Sequence, residues 1–150
     1  MATMAKKADI HREIEGAFGQ VPTWLRGLPT PALEGVWSLM RDFYLADTKI
    51  PGKYKELIGI AVSGAMGNKY CTLFHTESAR LHGATDEEIA EASVMGSLTT
   101  MNSTYMNAMQ IEYKRFHDET LAIVAHVKAH GVSSAKATAK ASAAAEHGKH

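Results

Sequence analysis

Cys71 and His75 are the residues of this chain whose types and spacing most favour chemistry. They lie four positions apart in a segment with helical periodicity, so their side chains share one helix face, with Cβ atoms roughly 5–6 Å apart. At that separation an imidazole can take up a thiol proton, directly or through one water molecule. Because Cys71 is the only cysteine, a second interpretation stays open, in which the thiol is a small, buried, unreactive side chain.

Asn68 is predicted to begin the helix that carries both residues. Asparagine is a favoured N-cap residue, because its side-chain oxygen accepts hydrogen bonds from free backbone N–H groups. Cys71 then lies in the first turn, where the partial positive charge of the helix end favours the thiolate over the thiol. The pattern therefore indicates a nucleophile with a base one helical turn further along.

Glu56 lies on the preceding predicted helix, which runs from about Lys53 to Met66. The apolar members of that helix are Leu57, Ile58, Ile60, Ala61, Val62 and Ala65. They occupy most sides of the helix, so we expect it to be buried. A buried carboxylate needs a hydrogen-bonding partner or takes up a proton, whereas a carboxylate near the helix start can stay in solvent. Both interpretations of Glu56 remain open at this point.

Helical spacing dominates the rest of the chain, and no segment alternates as a strand. Ile10, Ile14 and Phe18 recur every four residues and predict an apolar stripe on the first helix. Further breaks and starts are predicted at Gly19, Pro22, Gly27, Pro29, Thr30, Pro31, Pro51, Gly52, Gly67 and Gly83. Trp24, Leu25 and Leu28 are expected to anchor the core from a short turn. The prediction is an all-α, compact helical bundle of about six to seven helices.

The C-terminal part begins with a capping box formed by Thr85 and Glu88. The helical pattern continues from there to Gly131, with a break expected near Asn102 and Ser103. Residues 132–150 are rich in Ala, Ser and Lys and almost lack large apolar side chains. We therefore predict one helical domain over residues 1–131 and a tail over residues 132–150, which cannot pack a core of its own.

Composition excludes several classes of partner. Lys plus Arg and Asp plus Glu both number 16, and charged residues make up 21% of the chain, so no basic surface predicts nucleic-acid binding. No apolar run reaches the roughly 18–20 residues that span a bilayer, and no apolar segment follows Lys6 and Lys7 as in a secretory signal. We expect no membrane partner, no cofactor and no metal. A single cysteine favours a reducing, cytoplasmic location.

The spacing of the polar residues resembles the motif E-x11-C-x-x-C-x3-H, with Glu56 first, Asn68 and Cys71 at the two cysteine positions, and His75 last. The following residues, His75–Glu91, are similar as well. This is the pattern of the carboxymuconolactone decarboxylase family, in its alkylhydroperoxidase D-like branch. The resemblance covers Lys53–Ala92.

The resemblance implies an all-helical fold that assembles into homotrimers or hexamers. In redox members the downstream cysteine, here Cys71, is activated by the histidine and the glutamate, here His75 and Glu56. The upstream cysteine resolves the oxidised product as a disulfide, but that position holds Asn68. A disulfide cycle within one chain is therefore not expected.

Three hypotheses follow. The first is a single-cysteine thiol peroxidase with antioxidant activity, in which Cys71 attacks a hydroperoxide and an external thiol reduces the resulting sulfenic acid. The second is a non-redox, decarboxylase-like lyase, in which His75 and Glu56 act as acid and base on a small organic acid. The third is a non-catalytic oligomeric binding protein that keeps the polar cluster as a remnant.

Overall fold

The computed structural model describes residues 2–132 and Ala137. Over these residues it contains seven α-helices, one π-helical turn and no strand. The elements are α1 (Ala2–Phe18), α2 (Thr23–Arg26), α3 (Thr30–Leu39), the π-helical turn (Met40–Tyr44), α4 (Gly52–Ala65), α5 (Lys69–Leu81), α6 (Asp86–Ala108) and α7 (Tyr113–His130). The all-α prediction is confirmed. The predicted tail lies outside the described residues, apart from Val132 and Ala137.

The first core cluster joins α1, α2 and α3. Its buried members are Ile10, Ile14, Leu25, Leu33 and Trp37, and Phe18 packs against them with its ring edge-on to Trp37. This confirms the predicted stripe of α1. The expectation for Trp24 is wrong, because its side chain is 57% exposed while Leu25 is fully buried. On a helix of four residues, neighbouring side chains point in different directions, so only one of the two can face the core.

The second core cluster lies where α4 packs against α5. Ile60, Ala79 and Ala84 are buried there, with Leu57, Ile89 and Ala92 against them. The expectation that α4 is buried on most sides is wrong, since Ile58 and Val62 are 52% and 53% exposed. These side chains are apolar as predicted, but the other helices within residues 2–100 leave them about half exposed.

Gly96 explains how α6 approaches α4. A Cβ atom added at Gly96 would lie 2.6 Å from the carbonyl oxygen of Ala61, which is closer than real contacts allow. The helix backbones therefore meet at this point, and only a residue without a side chain fits between them. The predicted capping box opens α6: the Thr85 N–H donates to Glu88, and the Glu88 N–H donates to the Thr85 hydroxyl.

The predicted break near Asn102 and Ser103 is wrong, because α6 continues to Ala108. Polar side chains in this stretch bond back to their own helix, as Asn107 does to the Ser103 carbonyl, and so do not interrupt it. The chain turns only after Met109, where Gln110 has a φ of 50°.

The chain divides into two units, of which the first ends at Thr100 and the second begins at Met101. The first unit contains α1 to α5 and the start of α6, and thus every residue of the predicted polar cluster. In the second unit Glu112 caps α7, accepting hydrogen bonds from the backbone N–H groups of Lys114 and Arg115. Within the described ranges, none of the helices has both the length and the apolar character that crossing a membrane requires.

Candidate active site

Glu56 is a buried carboxylate with two side-chain partners. It lies on α4 with only 2% of its surface exposed. The Tyr44 hydroxyl donates to Oε1 over 2.5 Å, and Oε2 lies 2.8 Å from Nδ1 of His75. Of the two interpretations of Glu56, the structure supports the buried one, because both carboxylate oxygens point into the protein and have hydrogen-bonding partners.

Gly59 allows the His75 ring to lie directly against α4. A Cβ atom added at Gly59 would lie 2.5 Å from the Cγ and Nδ1 atoms of that ring. Ala79, one turn after His75 on α5, is fully buried in the contact with α4. Small residues on both helices therefore bring the imidazole within reach of Glu56, one turn earlier on α4.

Tyr44 reaches Glu56 from the end of the π-helical turn. That turn is closed by a hydrogen bond from the Leu45 N–H to the Met40 carbonyl. The ammonium of Lys55 donates to three backbone carbonyls, those of Phe43 (2.7 Å), Tyr44 (3.2 Å) and Ala46 (2.8 Å). Lys55 thus holds the backbone at the end of the π-helical turn, and Glu56, the next residue of α4, holds the side chain of Tyr44 from that turn.

The protonation of Tyr44 determines the direction of these hydrogen bonds. Burial raises the pKa of Tyr44 well above its usual value, and the hydrogen bond to Glu56 raises it further. The phenol therefore stays protonated and donates to the carboxylate. A carboxylate oxygen can only accept, so we assign Nδ1 of His75 as the donor to Oε2, and this leaves Nε2 available to other partners.

Cys71 lies on the exposed side of α5. Its backbone N–H donates to Oδ1 of Asn68 over 3.1 Å, as does the N–H of Tyr70, so the predicted N-cap is confirmed. Within residues 2–132, the Cys71 sulfur makes no hydrogen bond to His75 or Glu56. The structure thus brings His75 and Glu56 together, and it leaves Cys71, which shares α5 with His75, open to solvent.

Two cavities flank this part of α5. One, of about 480 Å³, is lined by Trp24, Met40, Tyr70, Cys71 and Phe74. The other, of about 310 Å³, is lined by Tyr44, Glu56 and Phe74 together with Phe18, Leu45, Glu77, Ser78, Leu81 and His82. Phe74 borders both cavities, and its ring meets that of His75 edge-on at 5.6 Å. The first cavity presents the thiol to an apolar space, and the second reaches the buried carboxylate.

Comparison with known proteins identifies the family. The model of the carboxymuconolactone decarboxylase family matches residues 31–111, more than half of the chain. This chain belongs to that family. The matched range contains Tyr44, Glu56, Cys71 and His75, so the whole hydrogen-bonded set lies inside the family's shared region.

Two individual proteins can also be compared with this chain, one by sequence and one by structure. It is 34% identical over 79 residues to an uncharacterized protein of Cupriavidus necator, a match that covers 53% of this chain and 66% of that protein, just under two thirds of its length. Its fold is similar to the crystal structure of an alkylhydroperoxidase AhpD core from Rhodospirillum rubrum, with a TM-score of 0.65 and 26% identity. That match covers 74% of this chain and 85% of the other. The fold is therefore alkylhydroperoxidase D-like.

Tyr44 and Lys55 are the residues of this site that the sequence did not single out. Tyr44 is twelve positions before Glu56, in a separate element, and no local spacing links the two. Only two features of the sequence pointed to Tyr44. A tyrosine ends the helical pattern before the Pro51 break, and a buried glutamate requires a hydrogen-bond donor.

Proposed function

We propose that this family member is a single-cysteine thiol peroxidase, in which Cys71 is the nucleophile and the His75–Glu56 pair handles its proton. One observation carries the proposal: His75 lies one helical turn after an exposed thiol in the first turn of α5, and its ring is hydrogen-bonded to the buried carboxylate of Glu56. The carboxylate orients the imidazole, and an oriented base one helical turn from a thiol is an arrangement that can activate a cysteine.

The reaction consists of an attack on a peroxide bond. His75 takes the thiol proton through a bridging water, and the Cys71 thiolate attacks the terminal peroxide oxygen. The O–O bond breaks, Cys71 becomes a sulfenic acid, and the departing alkoxide takes the proton back to leave as an alcohol. An external thiol then condenses with the sulfenic acid and releases water, and a second external thiol frees Cys71 as a disulfide of the reductant forms.

The surroundings of Cys71 support an organic hydroperoxide as the substrate. The cavity beside the thiol has aromatic walls from Trp24, Tyr70 and Phe74, which suit an apolar substituent. With Asn68 at the position of the upstream cysteine, the oxidised thiol has no resolving partner in its own chain. The external thiol in the cycle follows from that composition.

The test is consumption of an aryl hydroperoxide with a small thiol as reductant, using wild type, Cys71→Ser and His75→Ala. We expect Cys71→Ser to lose all protein-dependent turnover and His75→Ala to lose at least tenfold. His126→Ala, an exposed histidine change on α7, is the matched control and should retain the wild-type rate. Equal, negligible rates in wild type and Cys71→Ser would reject the peroxidase.

A decarboxylase-like lyase is the second candidate, because the Tyr44–Glu56–His75 set is complete without the thiol and borders a cavity of its own. In such a reaction a carboxylate leaves as CO2, and the electron pair left on carbon takes a proton from the imidazolium. Release of CO2 from carboxymuconolactone is the assay. Turnover that survives in Cys71→Ala and is lost in His75→Ala would favour this candidate over the peroxidase.

We also propose that the protein forms a homo-oligomer, the trimer or hexamer that the family resemblance implies. Large apolar side chains are exposed on several helices, among them Ile58, Val62, Leu73, Met95, Leu121 and Ile123. A chain with this much uncovered apolar surface gains stability when copies associate. Native mass spectrometry of wild type and Val62→Asp tests the proposal, with a monomeric wild type as the contradicting result. An oligomer without either activity would favour the binding protein of the third hypothesis.

A further inference from the structure

We propose that Tyr44 is a positioning residue of this site: its phenol holds the Glu56 carboxylate so that His75 keeps its proton on Nδ1 and presents Nε2 to the reactants. The inference rests on the proposed role of His75 as the group that accepts and returns a proton. Tyr44 comes from a separate element, the π-helical turn, and the proposal assigns that turn a role in the site.

The geometry around Glu56 leaves the carboxylate one orientation. Within residues 2–132, Tyr44 and His75 are its side-chain hydrogen-bonding partners, one on each oxygen. If the carboxylate rotated, Oε1 would lose a donor in a site where only 2% of the residue meets solvent. An unsatisfied buried acceptor is costly, so the phenol keeps Oε2 aimed at the imidazole. An imidazole hydrogen-bonded at Nδ1 to a fixed acceptor has its tautomer selected.

The backbone is arranged to deliver this phenol. Insertion of a π-helical turn changes the direction of the side chains that follow it, and such turns are frequent at functional sites. Lys55 then fixes the end of the turn through the carbonyls of Phe43, Tyr44 and Ala46. Lys55 and Glu56 are adjacent on α4. The hydrogen bonds of Lys55 therefore fix how far the Tyr44 backbone lies from the Glu56 carboxylate.

Other titratable groups near the set do not replace Tyr44. Glu77 and His82 line the same cavity as Glu56, and neither is hydrogen-bonded to the carboxylate. The ammonium of Lys55 is engaged with backbone carbonyls. Phe74 and His75 meet the Tyr44 ring through their own rings, at 6.2 Å and 6.1 Å. Ser78 also lines this cavity, and its hydroxyl pairs with the Tyr44 phenol, so the Tyr44 hydroxyl is the group that donates to Oε1.

The test is Tyr44→Phe, with Tyr54→Phe as the matched control, because Tyr54 is an exposed tyrosine on α4 whose hydroxyl makes no hydrogen bond within the described residues. The first readout is the nitrogen NMR spectrum of the His75 ring. Wild type and Tyr54→Phe should show a single tautomer protonated at Nδ1, whereas Tyr44→Phe should show a mixture. The second readout is the melting temperature, which shows whether a variant is only destabilised.

A purely structural tyrosine would lower the melting temperature and leave the tautomer of His75 unchanged, and that result would overturn the proposal. If Tyr44→Phe does not fold, 3-fluorotyrosine at position 44 keeps the hydrogen bond, and the single tautomer protonated at Nδ1 should persist. A His75 ring protonated at Nε2 in that protein or in wild type would again overturn the proposal. The NMR readout does not require turnover, so a protein without peroxidase activity would reject the proposed function and still decide the role of Tyr44.

Discussion

The two sides of α5 differ in how completely one chain builds them. On the inner side, His75 rests against Gly59 and bonds to a buried carboxylate, which Tyr44 holds from the other side. On the outer side, Cys71 is exposed and its sulfur has no hydrogen-bonding partner within the described residues. The glutamate–histidine half of the site is therefore organised by the fold of a single chain. The thiol half is available to solvent, to a substrate or to a second copy of the chain.

The largest expected effect comes from removing the centre of the inner side. Glu56→Ala leaves the donors of Tyr44 and His75 buried without an acceptor, and we expect the free energy of unfolding to fall by about 3 kcal/mol. Urea denaturation measures this change. Glu77→Ala, an exposed carboxylate change on α5, should stay within about 0.5 kcal/mol of wild type. Similar values for the two variants would remove the contrast between the two sides.

Gly59→Ala tests how tightly the His75 ring is seated. The added methyl group would lie 2.5 Å from the ring, so the ring or the helix must move, at a cost of about 1–3 kcal/mol. Gly64→Ala is the matched control on α4, because a Cβ atom there meets no other atom within 4 Å. Alanine favours the helix over glycine, so the control should be stabilised by up to about 1 kcal/mol. Opposite signs in thermal denaturation support the close approach, whereas two stabilising changes would contradict it.

The same contrast separates what could be predicted from what could not. Local patterns predicted the helices, the cap at Asn68 and the capping box at Thr85, because each depends on neighbours a few residues away. The shared location of Glu56 and His75, which are 19 residues apart on different helices, was expected from the family resemblance and not from local spacing. Tyr44 was missed because its hydrogen bond to Glu56 depends on where a π-helical turn ends. The exposure of Ile58 and Val62 was missed because apolar periodicity shows only which sides of a helix are apolar. It does not show which of those sides pack against another helix of the same chain.

Asn68→Ala tests the outer side with a moderate expected effect. The Asn68 side chain accepts from the N–H groups of Tyr70 and Cys71, and its loss should lower the free energy of unfolding by about 1 kcal/mol. Asn68→Asp keeps the acceptor and adds a negative charge near the thiol, so it should retain stability and slow alkylation of Cys71 by iodoacetamide. A fast-reacting Asn68→Asp would show that the helix start does not influence the thiol.

The smallest expected effect concerns a partly exposed ion pair that joins the start of α4 to the start of α6. The Lys53 ammonium lies 2.6 Å from Glu88, and this pairing, followed by the Thr85 backbone N–H, holds the pKa of Glu88 below its usual value. A carboxyl with a lowered pKa in the folded state stabilises the protein above its unfolded pKa of about 4.3, and the contribution disappears as the pH falls through the lower folded value. Glu88→Gln keeps the capping acceptor and loses the charge, so its melting temperature should lie slightly below that of wild type at pH 7 and meet it at acidic pH. Added salt should narrow the difference at pH 7. If Glu88→Gln instead lowered the melting temperature at pH 7 as far as Glu56→Ala does, burial would not be what distinguishes Glu56 from Glu88.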